Sequence, residues 1–419
     1  MAEKPQSYYG TWINRQRSLL PGLDEELDPL TTKLEHLIII LDTLGLEAFV
    51  APPSRGRGRP PDDRPAIARS FVAKAVLTIP TTSALIERLQ IDRALRRICG
   101  WERRSEVPSE ATFSRAFAAF AAQGLPERVH EQLVRRHLQD HIVGHISRDA
   151  TEIEAREKPC RRSPDDLPPP APPKRKRGRP RKHEVLPPKP LTRIEQQRTQ
   201  SLDEMRAGLP TQCDVGVKRN SKGFRETWIG YKLHLDTANG IVPVAAILTA
   251  ASTHDSQVAI PLARTSEQRV VWLYDLMDSA YDAQPIIDDC LAAGRVPVID
   301  RNTLEPIYER DFAAQSYGFR PGMGCKDALR RVDELLKAEI AAERARRRLI
   351  NIPDPRDLTY NERTTAERAN ARIKDEFGGR YLRVRGHLKA FCHLMFGVVA
   401  LAADSIVRLF SARFYIHPA

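Results

Sequence analysis

The chain has little that would hold a soft metal, a disulfide or a nucleotide. Its six cysteines, Cys99, Cys160, Cys213, Cys290, Cys325 and Cys392, lie far apart and form no C-x-x-C pair. That spacing excludes a zinc ribbon and a disulfide framework, and the cysteines read as reduced thiols. The histidines, His141, His145, His234 and His254 among them, show no HExxH pattern. No P-loop is present and no GxGxxG follows a strand, so no nucleotide cofactor is implied. The opening MAEKPQSYYG has no signal-peptide character. The most apolar region, 390–410, is broken by His393, Asp404 and Arg408, and reads as a buried helix rather than a membrane span. There is no internal repeat. These absences point to a soluble, intracellular protein with no membrane partner.

What is present is length and positive charge. A chain of 419 residues has room for a large core and two or three domains. A net charge of +12 and a pI near 9.5 favour a polyanionic partner, nucleic acid first.

Residues 1–142 read as helical. One apolar pattern runs from Leu23 to Leu46, and a loop rich in Pro and Arg follows at 52–65. More helical sequence extends from Ala66 to His141, with a break at Val107-Pro108 and a candidate N-cap at Ser109. The two short helices around that break fit either a helix-turn-helix or a plain helical bundle. Residues 143–156 read as a strand. Residues 157–213 form a Pro-rich basic linker unable to build a core, apart from a polar helix expected over 191–207. Residues 214–419 alternate strand and helix. Two strands flank the turn Ala238-Asn239-Gly240, and a helix covers 256–265. A strand then ends at an acid near Asp278, followed by a helix, the strand RVPVID and a long charged helix over 327–348. A buried helix over 388–410 closes the chain. The pattern gives an α/β class.

The most specific feature is Tyr360, Arg363, Glu367 and Lys374, spaced Tyr-x2-Arg-x3-Glu-x6-Lys. At about 100° per residue, a helix gathers these four within roughly 60° of arc. Ala366, Ala369, Ile373 and Phe377 fall on the opposite, buried side. A lone acid held among an aromatic and two cations suits a metal ligand flanked by phosphate contacts. By itself the pattern also fits a solvated charged face.

The complete spacing resembles the signature of DDE transposases of bacterial insertion sequences, in the IS-four/IS-five superfamily. Two upstream blocks and the downstream GGRYLRVRG carry the same resemblance, which spans roughly residues 56–160 and 214–410. It implies a ribonuclease-H-like catalytic core preceded by an all-helical N-terminal domain. Its chemistry would be phosphodiester cleavage at the element's ends, freeing a 3′-OH that is then directed at target DNA. Three acids would bind two magnesium or manganese ions, which neutralise charge and fix in-line geometry.

The first acid is Asp149, where an alternating strand is expected to end. The following Thr151, Ile153 and Ala155 match the family's T-x-I-x-A run; Glu152 and Glu154 are the lesser alternatives. The second is Asp278, followed by Tyr281 and Asp282 at the family's spacing, with Asp275 as its rival. Ser279 and Ala280 depart from the basic or glycine residues of many relatives, which puts a phosphate contact in doubt. The third is Glu367. By resemblance, Tyr360, Arg363 and Lys374 contact transposon-end phosphates. His254-Asp255 recurs in the family near the core and is expected to be structural or close to DNA.

The linker is longer and more basic than the resemblance explains. Within KRKRGRPRK, Arg177, Gly178, Arg179 and Pro180 resemble an AT-hook, a slim extended segment suited to a narrow A·T minor groove. A solvated basic tether is the other reading. A second copy, Arg57-Gly58-Arg59-Pro60, also matches the ordinary start of the family's helical domain. The whole predicts a cytoplasmic, nucleoid-associated transposase acting on double-stranded DNA as a homodimer. The alternative is a catalytically inactive, domesticated DNA-binding protein.

Overall fold

The computed structural model describes residues 30–50, 63–160, 190–219, 223–299, 362–380 and 382–416. The expected helix over 327–348, both AT-hook-like segments and Tyr360 lie outside these residues, as does the start of the Leu23–Leu46 pattern.

The first four helices of the N-terminal region each begin on a side-chain cap. Helix α1 (Thr32–Leu44) starts on the Thr31 hydroxyl and stops at Gly45, whose φ of 54° puts it in the left-handed region. Helix α2 (Arg64–Val76) starts on Asp63, which accepts from the Ala66 N–H. The short α3 (Thr82–Ile91) and α4 (Arg93–Cys99) start on Thr81 and Asp92. Beyond the Val107-Pro108 break come α5 (Glu110–Ala122) and α6 (Leu125–Leu138). Ser109 takes the N-cap position of α5 without bonding the helix backbone; its hydroxyl meets that of Thr112 instead. The buried face of α5, with Phe113, Phe117 and Phe120, packs around Phe71 of α2.

A six-stranded mixed sheet follows. Its strands are β1 (Ile142–Glu154), β2 (Asp214–Arg219), β3 (Arg225–Ala238), β4 (Val242–Ala250), β5 (Val271–Met277) and β6 (Val296–Ile299). Strands β4, β3, β1, β5 and β6 lie side by side, and β2 extends the far half of β3. The pairs β4/β3 and β3/β1 are antiparallel, while β1/β5 and β5/β6 are parallel. The parallel connection is made by α9 (Ser256–Glu267) before β5 and α10 (Gln284–Ala292) before β6.

Two expectations change here. Strand β1 does not end at Asp149 but continues to Glu154, in keeping with the strand read over 143–156, because β3 pairs with it from Ile146 to Glu154. Only the pairing with β5 stops early, at Ser147 beside Leu276. The single polar helix expected over 191–207 is two short ones, α7 (Arg193–Gln197) and α8 (Leu202–Ala207). Each has its own capping box, Thr192 with Glu195 and Ser201 with Glu204, so a second start signal interrupts the first helix. This end of the linker also packs on the core: Gln197 is buried and donates to the Gln257 carbonyl of α9.

Helix α11 (Thr364–Asp375) lies against β1 and β3. Helix α12 (His387–Ile416) runs beneath the N-terminal helices and β4. Its segment 387–410 has the length and hydropathy of a membrane span, yet 83% of the most apolar window is buried inside the protein. Phe396 of α12 stacks on Phe71 at 5.6 Å. One continuous apolar core therefore joins the N-terminal helices, α12 and the sheet, from Leu37 through Phe396 to Leu235.

Candidate active site

The parallel register of β1 and β5 sets the first two acids. Ser147 pairs with Leu276, the last pair of the two strands, and Asp149 and Asp278 each come two residues after it. Adjacent strands lie about 4.8 Å apart, which puts the two carboxylates at one level. Asp149 stands on a strand that has lost its partner on that side. Asp278 is the first residue beyond β5 and caps a short turn by accepting from the Ala280 N–H at 3.0 Å. The strand ending at Asp278 is as expected.

Helix α11 brings the third acid. Its buried side is Ala366, Ala369, Ile373 and Phe377, as its spacing predicts. Three hydrogen bonds pin it along β1. Ser147 Oγ donates to the Glu362 carbonyl, Asn370 Nδ2 to Asp149 Oδ2 and Lys374 Nζ to Glu152 Oε1, each at 3.0 Å. Glu367 sits between the first two pins, on the exposed side, with Arg363 Nη2 at 2.8 Å from its Oε1. The regular helix begins at Thr364, with Arg363 in helical conformation at its N-cap position.

The electrostatics reflect crowded acids. Burial, then the charges of Asp278 and Glu367, push the Asp149 carboxyl up to about 6, against the opposing hydrogen bonds from the Ala150 N–H and Asn370. Asp278 is also raised, by burial first and by Asp255, while the Ala280 N–H, Arg363 and His254 oppose the rise. All donors here are hard oxygens, the set that magnesium and manganese prefer. Among the described residues, no three His, Cys, Asp or Glu side chains are already closed on one point, and Glu367 is turned towards Arg363. A divalent cation fits the site's chemistry, because it would offset both the burial of the Asp149 carboxylate and the charges of Asp278 and Glu367 beside it.

The rival acids have other tasks. Asp275 is fully buried, 3.4 Å from both Arg148 and Arg295. Glu152 bridges Lys374 at 3.0 Å and Lys218 at 3.1 Å. Although burial opposes it, its own backbone N–H and these lysines hold the Glu152 carboxyl down at about 2. Lys374 is thus ion-paired. Asp255 pairs with Lys232 at 2.9 Å, and His254 bonds the Ser256 hydroxyl at 2.8 Å. Tyr360 and the segment Arg177, Gly178, Arg179 and Pro180 lie outside the described residues.

Sequence reasoning missed two groups. One is Arg148, next to Asp149 on the opposite, inner face of β1, which grips Asp236 with two bonds of 2.8 and 2.9 Å. The only hint was an Asp set in the apolar run of β3. The other is Asn370, one turn beyond Glu367, a polar residue on the buried side of an amphipathic helix.

The comparisons with known proteins match residues 149–402 to a family described as Transposase DDE domain. Residues 23–119 match a second family, described as Transposase domain (DUF772). The searches of curated proteins and of solved structures returned no match. The DDE match spans more than half of the chain and begins at Asp149 itself. The chain therefore belongs to the DDE-domain family of DNA transposases.

Proposed function

We propose that Asp149, Asp278 and Glu367 hold two magnesium or manganese ions in a ribonuclease-H-like core, and that this centre cuts DNA at insertion-sequence ends and joins them to target DNA. The observation that carries the reading is that two acids each follow by two residues the last pair of adjacent parallel strands, with a third presented by a helix pinned to the first strand. The strand order β4-β3-β1-β5-β6, antiparallel on one side of β1 and parallel on the other, supports the ribonuclease-H-like assignment.

When bound, the cations supply charge neutralisation and an activated oxygen for in-line displacement. The chain's own part is positional. Strand β1 and the Asn370 amide fix Asp149, and the Ala280 N–H fixes Asp278. Arg363 steadies Glu367 and is assigned a DNA phosphate contact. Lys374 and Tyr360 are assigned phosphate contacts by their place in the family motif. Arg177, Gly178, Arg179 and Pro180 are assigned to an A·T minor groove, supported by sequence alone. Two ends must be joined, so the protein acts as a homodimer on double-stranded DNA.

The test is cleavage of a duplex carrying the terminal repeat that flanks the gene, with manganese, by wild type and Glu367→Gln. The expected result is 3′-OH release by wild type alone. Metal-supplied wild type that binds the repeat without cutting it overturns the proposal and favours a DNA-binding protein without chemistry.

A further inference from the structure

Asn370 is 5% exposed, which is unusual for a carboxamide on a short surface helix. Only half of its side chain is used: Nδ2 donates to Asp149 Oδ2, while Oδ1 is buried and has no hydrogen-bond partner among the described residues. A buried acceptor left unpaired costs roughly 1–3 kcal/mol. Leucine at this position would pack as well at no such cost, so packing does not explain the amide.

The orientation is informative. The amide nitrogen must face the carboxylate, because a carboxylate is acceptor-only, and this leaves the amide oxygen beside Asp149. One Asp149 oxygen is thereby tied to protein. An acceptor next to a carboxylate is suited to a donor brought by a cation, and magnesium and manganese sites of this kind retain several water ligands.

We infer that Asn370 is a positioning residue for the metal centre: its Nδ2 fixes the Asp149 carboxylate, and its Oδ1 accepts a hydrogen bond from water on the bound cation. The inference rests on Asp149 being a metal ligand. It is distinct from the acid triad, since Asn370 need not touch the metal. Outer partners of this type typically alter metal affinity by about 10–100-fold.

The experiment measures manganese binding by electron paramagnetic resonance on full-length protein without DNA. The proteins are wild type, Asp149→Asn, Asn370→Ala and Asn370→Leu, with metal-free thermal unfolding and metal-free DNA binding recorded in parallel. Leucine retains the packing volume should alanine prove unstable. The expected result is about tenfold or greater weakening of manganese binding in both Asn370 variants, with DNA affinity unchanged. Cleavage should show the same rise in the manganese concentration for half-maximal rate, with most of the rate restored at saturating metal. Folded Asn370→Leu binding manganese as tightly as wild type overturns the inference while leaving the site assignment intact. Asp149→Asn binding manganese as tightly as wild type overturns the site assignment itself, and the inference with it.

Discussion

Replacing Asp149 by asparagine is predicted to make the metal-free protein more stable while abolishing its chemistry. The carboxyl is pushed up to about 6 from an ordinary value of 3.8, chiefly by burial and then by Asp278 and Glu367. An acid raised on folding binds its proton more tightly in the folded state. Its stabilising contribution is therefore complete below about pH 4 and lost as pH rises through about 6. The difference corresponds to about 3 kcal/mol, at roughly 1.36 kcal/mol per pKa unit. Asparagine removes the charge and keeps the shape. Urea unfolding in a chelator should thus show Asp149→Asn more stable than wild type by up to about 3 kcal/mol near pH 8, with little advantage near pH 4. Manganese at about 1,000 times its Kd should reverse the order, since it stabilises only the binding-competent protein, by about 4.1 kcal/mol. A variant no more stable than wild type near pH 8, or one whose advantage persists undiminished near pH 4, refutes the account.

Two further outcomes follow from ion pairs the sequence did not reveal. Arg148→Met strands Asp236 in the core with, among the described residues, only the Ser266 hydroxyl at 2.7 Å as a side-chain partner and leaves Asp275 to Arg295; it should cost about 3–5 kcal/mol in chemical denaturation, and a loss below about 1 kcal/mol contradicts the burial argument. Glu152→Gln takes the carboxylate from Lys374 and Lys218. It should therefore tighten DNA binding several-fold in low-salt anisotropy and steepen its salt dependence; unchanged affinity at every salt concentration would remove Lys374 from the DNA interface.

Asp278, the apolar side of α11 and the parallel strands were legible because each follows from a local period or a stop signal. The end of β1 was read in two ways, at Asp149 and at the close of 143–156, because a strand's end is set by its partner and β3 lies some eighty residues downstream; the inward alternation of Thr151 and Ile153 favoured the longer reading. The Arg148 pairing was invisible for the same reason: its two acids lie 88 and 127 residues away. Asn370 escaped notice because a single polar residue on a buried helix side carries no period. Its meaning depends on which strand the helix lies against. The second helix start at Ser201 was readable as a capping box and was hidden only by the polarity around it.

The bond from Asn370 to Asp149 closes a span of 221 residues. At about 5–20 residues per second, a ribosome needs roughly 10–45 s to make that much chain. For most of that interval the growing polypeptide already carries its basic linker but has at most two of the three proposed metal-binding acids. A copy cut short by a stop codon or a protease before Glu367 would, on the same assignment, keep the basic linker and lack the third acid. On the proposed assignment of Asp149, Asp278 and Glu367, cutting waits for the last stage of synthesis, because the third acid comes late in the order of residues along the chain.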